Sequence, residues 1–474
     1  MHSGRVLAVA LLATVAAVAS ADSETTTQHL LFQIFTAAGT PDQALGGTMT
    51  LQDIPDRAAL MRFARTIKKR ISTTGDKHRK LGFTPGPLAF DHTDEQVRRL
   101  IRDSFATARE LDMAVALHLD DSMFWARHPG LKQAEGHLER LDWQGPENTG
   151  RRLDWGPKPT KIAPQLCFNS PAVIAAVRKR AALIGLETAR EYRRLQDEGR
   201  GHLFAGVIVG WETMMSRDFD SGRALGYCAL ANNGYSASNP PKNMDAARAK
   251  VVQEFMELWA QSIHKEGIPK RLIYNHIAFT AQGLGGNPMD HPPAGTAFSP
   301  HYLPGFSTYP SPGIMAEVRA LLEKHGSPPW ASVEGTNVVP SGQPGEKTME
   351  TYLGRMFNHG AVMVNIFAWG VGPDDFQSNF FRRATEGPDA IAGYRRFLSG
   401  QRLREDPAQP FSLTEFQKKI RDIQSRLPQW VQRTRRQPEA TDIMRGLEDS
   451  IKSGDMTAAD AAADKALELL GQNQ

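Results

Sequence analysis

Short apolar runs alternate with longer stretches of helical periodicity along most of the chain. The runs are Leu30–Phe35, Lys80–Phe83, Ala114–Leu119, Leu203–Val209, Leu272–Phe279, Gly305–Tyr309, Trp330–Val333 and Ala361–Phe367. Between them lie helical patterns at Arg57–Ile71, from Ser170-Pro171 to about Glu198, at Met244–His264, from Ser311-Pro312, and at Thr348–Asn358. Thr93 and Gln96 form a capping-box pattern, after which Val97, Leu100, Ile101, Phe105 and Ala108 recur at helical spacing.

The fourth, fifth and eighth runs are continuously apolar, as parallel strands covered on both faces should be. Eight such runs alternating with helices predict an α/β fold, a (β/α)8 TIM barrel. The second and sixth runs are the weakest, and a doubly wound open sheet is the structural alternative. Asp120–Phe168 reads as a long irregular segment containing Trp125, Trp143 and Trp155, the kind of insertion that usually serves function.

After Gly400 the pattern becomes purely helical, which predicts a C-terminal α-helical appendage over residues 401–474. Ser412 and Glu415 cap a helix to about Arg426, followed by helices at Ala440–Ile451 and Thr457–Leu470. The last pair resembles a tetratricopeptide unit, but one pair cannot stack into a solenoid, so packing against the barrel is expected. At the other end, Met1–Arg5, the apolar Val6–Val18 and Ala19-Ser20-Ala21 have the layout of a secretory signal peptide over residues 1–21. The alternative is an uncleaved anchor. The barrel is then expected over 22–400, in a secreted or periplasmic protein with no later membrane span.

Composition adds little direction. The 474 residues are 41% hydrophobic and 23% charged, and 56 basic against 52 acidic residues give a net charge of +4. That balance lacks the footprint of a nucleic-acid binder. The two cysteines, Cys167 and Cys228, are compatible with one bridge or with two free thiols, since spacing alone does not place sulfurs in reach. Oligomeric state is not legible.

Barrel active sites form at the C-terminal ends of the strands. Two acids directly follow strong runs there: Glu212 in Gly210-Trp211-Glu212-Thr213 and Glu334 in Ser332-Val333-Glu334-Gly335. Two carboxyls across one cleft are what glycosidic cleavage requires, one protonated and one ionised. Taken singly, either glutamate is also compatible with a salt bridge at a strand end.

With these motifs, residues 28–400 resemble the retaining barrel glycosidases of clan A, the β-galactosidase-like superfamily. The resemblance implies that Glu212, after the fourth strand, is the acid/base and Glu334, after the seventh, is the nucleophile. Trp211 stands where many members carry Asn. The implied activity is retaining hydrolysis of an oligo- or polysaccharide without a cofactor. The rival is a non-catalytic carbohydrate-binding barrel or scaffold.

Supporting candidates are weaker. His118, Asp120 and Asp121 end the third run and suit sugar hydroxyls, or form a local turn. Asn275 and His276 lie inside the fifth run, as pocket floor or as satisfied core polars. Trp369 is a stacking platform or a core residue. Trp211, Trp125, Tyr309 and His301 are similar candidates. There is no cluster with metal-ligand spacing, no Walker A loop, no zinc-binding His-Glu-x-x-His helix and no nucleophile-elbow serine.

Overall fold

The computed structural model describes residues 26–35, 37–38, 50–51, 54–153, 160–278, 292–308, 312–336, 349–370, 379–404, 413–434, 436–452 and 456–471. The leader expected over 1–21, and Tyr309, lie outside the described residues.

Eight parallel strands form the barrel: β1 (Gln28–Phe35), β2 (Arg79–Gly86), β3 (Ala114–His118), β4 (Phe204–Val209), β5 (Ile273–Asn275), β6 (Gly305–Ser307), β7 (Trp330–Gly335) and β8 (Ala361–Trp369). Seven neighbouring pairs run in the order β6-β7-β8-β1-β2-β3-β4-β5. The ring closes between β5 and β6. There Leu303 N–H donates to Ile273 O (2.8 Å), Asn275 N–H to Leu303 O (3.2 Å), Ile277 N–H to Gly305 O (2.9 Å) and Ser307 N–H to Ile277 O (2.9 Å). The fold is therefore a TIM barrel, and the open-sheet alternative falls.

Strand alternation, interrupted where β4 passes Gly206 and β8 passes Val362, sorts the residues into two populations. Leu30, Phe32, Ile34, Leu81, Phe83, Val115, Leu117, Val207 and Val209 face the surrounding helices. Leu31, Ala114, Ala116, Ala205, Ile208, Tyr274, Ala331, Val333, Val362 and Met363 fill the barrel's interior. The helical layer contains α1 (Arg57–Ile71), α2 (Asp94–Leu111), α3 (Pro171–Asp197), α4 (Met244–Lys265), α5 (Pro312–Lys324), α6 (Met349–Phe357), α7 (Phe380–Glu386) and α8 (Pro388–Leu398). The Thr93–Gln96 capping box is present on α2, and Val97, Leu100, Ile101, Phe105 and Ala108 are buried. Between β5 and β6, the described residues hold only a 3₁₀ turn, Ala294–Ala297.

Two expectations change in detail. The segment after β3 is not wholly irregular: it carries a short helix, Pro129–Lys132, and a two-stranded antiparallel sheet, Arg151–Leu153 with Thr160–Ile162. The first C-terminal helix, α9 (Leu413–Thr434), runs past Arg426 and through Pro428. The proline removes one helical hydrogen bond, but Trp430, one half-turn on, is buried in the core shared with α10 (Gln437–Lys452) and α11 (Met456–Gly471). Tertiary burial of a tryptophan outweighs the local break. These three helices have their own apolar core, and α9 packs against α5.

Barrel closure depends on a side chain as well as backbone. Asn275 Oδ1 accepts from Gly305 N–H (2.7 Å), while its Nδ2 donates to Thr296 O (3.3 Å). A Cβ on Gly305 would lie 1.9 Å from Asn275 O, so only glycine admits this approach. Replacing Asn275 with Ala leaves the buried Gly305 N–H without that acceptor. We expect urea unfolding to show a loss of about 1–3 kcal/mol, the range for orphaning a buried donor. An unchanged midpoint and slope would remove Asn275 from the closure.

Candidate active site

Polar residues replace apolar ones in the uppermost interior layer, at the C-terminal ends of the strands. Gln33 (β1), His118 (β3), His276 (after β5), Ser307 (β6) and Asn365 (β8) are all buried there. They form a connected row. Ser307 Oγ meets His276 Nε2 at 2.8 Å, His276 Nδ1 meets His118 Nε2 at 3.1 Å, and His118 Nδ1 meets Gln33 Oε1 at 3.1 Å. Asn365 Nδ2 then donates to Gln33 Oε1 and to Val333 O, each at 2.9 Å.

The proton positions follow from the last contact. Val333 O only accepts, so Asn365 presents its amide nitrogen, and Gln33 presents its oxygen. His118 therefore donates from Nδ1, while its Nε2 faces both His276 Nδ1 and, at 3.2 Å, the Gly210 carbonyl oxygen. His276 then donates from Nδ1 and accepts the Ser307 hydroxyl on Nε2. Burial lowers the His118 pKa to about 3 and holds that of His276 well below its ordinary value, with the neighbouring His118 adding to the latter shift. The floor is thus an uncharged row of imidazoles, amides and a hydroxyl. Gln33 Nε2 and Asn365 Oδ1 are buried and make no protein hydrogen bond.

Both glutamates stand at backbone irregularities on the rim of this floor. Glu212 has φ 52° in the left-handed region, two residues after Gly210 at φ 88°. That double reversal lays the Trp211 ring against His118, with centroids 5.1 Å apart and planes 25° from parallel. Glu334 lies within β7, not after it. From Ser332 to Glu334, β7 advances two residues while β6 advances only from Phe306 to Ser307. From Ser332 to Gly335, it advances three while β8 advances two, Val364 to Ile366. This β-bulge changes which way side chains past Val333 are aimed. Both glutamates are buried, at 9% and 4% exposure.

A second polar cluster flanks Glu212. Asp121 Oδ2 accepts from the Thr213 hydroxyl at 2.5 Å. Beside it, Asp120 accepts from Met123 N–H (2.9 Å) and Phe124 N–H (2.7 Å). The fully buried Arg151 donates to the Ser122 hydroxyl at 3.3 Å. Burial, reinforced by the charge of Asp121, pushes Asp120 up to about 7, and burial also raises Asp121; the Arg151 charge opposes both shifts.

The sequence candidates thus separate. His118, His276 and Trp211 come together in and over the floor, and Asp121 buttresses the Glu212 turn. The Asp120 carboxylate is engaged by its own loop's amides, and Asn275 by the β5–β6 closure. Trp369 packs edge-to-face on Phe32, with centroids 5.3 Å apart, in the layer facing the helices. Trp125 donates to Pro164 O (2.9 Å) within the excursion after β3. His301 is half-buried, its N–H donating to the Ser299 hydroxyl. Gln33, Ser307, Asn365, Arg151 and Thr213 were missed. Gln33 and Asn365 interrupt the apolar runs LLFQIF and AVMVNIF, as Asn275 and His276 do theirs, so a signal existed; Arg151 had none.

Among the described residues, no His, Cys, Asp and Glu group is arranged to hold a metal ion, and no helix is long and apolar enough to cross a membrane. No protein-family model matches the chain, and no curated protein matches it. Solved structures similar to it include the catalytic domain of a β-amylase from Paenibacillus polymyxa, at 10% identity and TM-score 0.46, covering 81% of this chain and 99% of that one. A GH5-4 broad-specificity endoglucanase from an uncultured bacterium is similar at 9% identity and TM-score 0.41, covering 78% and 94%. A D-allulose 3-epimerase from Methylomonas sp. is similar at 8% identity and TM-score 0.38, covering 80% and 98%. At these values no activity is assigned by likeness, and function must be argued from the site.

The neutral floor has a stability signature. In the unfolded chain His118 titrates near its ordinary 6.5, and in the folded protein at about 3. Between those values the unfolded state binds more protons, so stability falls on acidification, by up to about 1.4 kcal/mol per pH unit. Asp120, raised in the folded state, tilts the opposite way from its ordinary 3.8 up to about 7. Its contribution cancels when two proteins sharing it are compared. His118→Gln should therefore show a shallower fall in Tm than the parent between about pH 6 and 4. Parallel curves would contradict a neutral buried imidazole.

Proposed function

We propose that the protein is a retaining glycoside hydrolase acting on an oligo- or polysaccharide, with Glu212 as acid/base and Glu334 as nucleophile. The observation that carries this reading is the placement of both glutamates. Each is buried, each lies at the C-terminal end of its strand, and each is redirected by a local irregularity, one a left-handed residue and one a bulge. Such irregularities concentrate where a side chain must be aimed against the regular backbone.

In the first half-reaction the Glu334 carboxylate attacks the anomeric carbon. The bond to the glycosidic oxygen breaks, and that oxygen takes the Glu212 proton as it leaves. Glu212, now ionised, removes a proton from water; the water oxygen attacks the same carbon and displaces Glu334. Two inversions give net retention. A carboxyl separation of about 5–5.5 Å belongs to this course, against about 6.5–9.5 Å for inversion. Gln33, Asn365 and Trp211, all fully buried, support this rim from beneath.

Glu334→Gln should reduce turnover of every aryl glycoside substrate by at least about 10³-fold. Glu212→Gln should lose about 10²–10⁴-fold on poor leaving groups, yet form the glycosyl-enzyme at near-parental rate from dinitrophenyl glycosides, which need no proton. NMR of the first-formed sugar should show the substrate's anomer. Parental turnover in Glu334→Gln across a broad glycoside panel would end the assignment.

A further inference from the structure

The only two cysteines of the chain lie on different loops, yet they converge. Cys167 ends the excursion after β3, and Cys228 sits on the short helix Tyr227–Asn232 after β4. Both flank the dipeptide Gly136-His137: Cys167 N–H donates to His137 O at 2.8 Å, and Cys228 Sγ lies 4.0 Å from Gly136 O. Asn232, one helical turn beyond Cys228 and on the same helix face, donates from Nδ2 to Cys167 Sγ at 3.4 Å. The segments are clamped around the pair. Asn169 Nδ2 donates to Ala229 O (2.8 Å), and the buried Glu139 carboxylate accepts from Gly226, Cys228 and Ala229 N–H at 3.1, 2.9 and 3.0 Å.

The neighbouring Cys228 thiol, followed by burial, pushes the Cys167 thiol well above the ordinary range. Cys167 is fully buried and Cys228 is partly exposed.

We infer that Cys167 and Cys228 form a disulfide that staples the excursion after β3 to the loop after β4. These loops carry Asp121 and Arg151 on one side and continue from the Glu212 turn on the other, so the bond would tie together two walls of one rim. The inference stands apart from the glycosidase reading, since it uses neither glutamate. With oxidised glutathione as oxidant, the exposed Cys228 thiolate attacks one sulfur and expels one glutathione thiolate. The Cys167 thiolate then attacks Cys228 Sγ and expels the second. The protein gives up two protons and two electrons, and the oxidant leaves as two thiols.

The test uses the full chain, incubated with excess oxidised glutathione and digested without reduction. Mass spectrometry should find the Cys167 and Cys228 peptides joined, two hydrogen atoms lighter than their sum. Thiol titration in denaturant should find no free thiol before reduction and two after it. Reduction should lower the Tm by about 3–6 °C, and the Cys228→Ala protein should not respond. Two free thiols after exhaustive oxidation, or glutathione persisting on Cys228 because Cys167 never displaces it, would overturn the inference; neither measurement depends on the variant folding.

Discussion

The upper half of the barrel depends on one constraint: polar groups buried at the top of a closed ring must satisfy one another. The row from Ser307 through His276, His118 and Gln33 to Asn365 meets most of that demand, anchored at its end by the Val333 carbonyl, and leaves Gln33 Nε2 and Asn365 Oδ1 without a protein partner. An interruption leaves a buried donor or acceptor orphaned, at about 1–3 kcal/mol. The row therefore specifies arrangement more than it adds stability. It links β6, the end of β5, β3, β1, β8 and β7, and these can hold their relative heights only if every partner is present.

The same row reaches both proposed carboxyl positions. Val333, whose carbonyl anchors Asn365, is the residue at which β7 bulges, and Glu334 follows immediately. At the opposite rim, the ring stacked on His118 belongs to Trp211, and Glu212 follows immediately. The irregular backbone on each side is thus held from below by the floor. A sheet with regular strands would need no such anchor, but it would alternate its side chains on schedule and leave less freedom to aim a carboxyl.

Much of this was legible in the sequence, for identifiable reasons. Continuous apolar runs and capped helices report burial on both faces of a parallel sheet, so the barrel and most element positions follow from periodicity. The position of the two glutamates at strand ends follows from their place after strong runs. What failed was the direction of a polar side chain inside a strand. Asn275 and His276 are adjacent, yet alternation sends one outward to the β5–β6 closure and the other inward to the floor. Strand polarity relative to the barrel axis is needed to tell them apart. The Arg151 cluster could not be foreseen, because it comes from an insertion whose path over the rim is set by tertiary contacts. The run through Pro428 likewise needed Trp430's burial to be known.

The electrostatics of the rim bear on how two glutamates would divide acid and nucleophile between them. The floor beneath is uncharged, so it favours neither as the ionised partner. The asymmetry has to come from the flanks. On the Glu212 side, Thr213 is bonded to Asp121, with Asp120 adjacent, and the two acids feel the charge of the buried Arg151 guanidinium, which bonds Ser122. Any excess negative charge there favours keeping a neighbouring carboxyl protonated. On the Glu334 side, the described residues include a run of hydroxyls, Ser332, Thr308 and Tyr352, joined at 2.6 and 3.0 Å. They add no negative charge, since burial keeps the Tyr352 phenol protonated. On the proposed reading, the acid stands on the side with carboxylate neighbours and the nucleophile on the side where the described neighbours are hydroxyls. The division of labour is then a property of the loops after β3 and β4 rather than of the glutamates themselves.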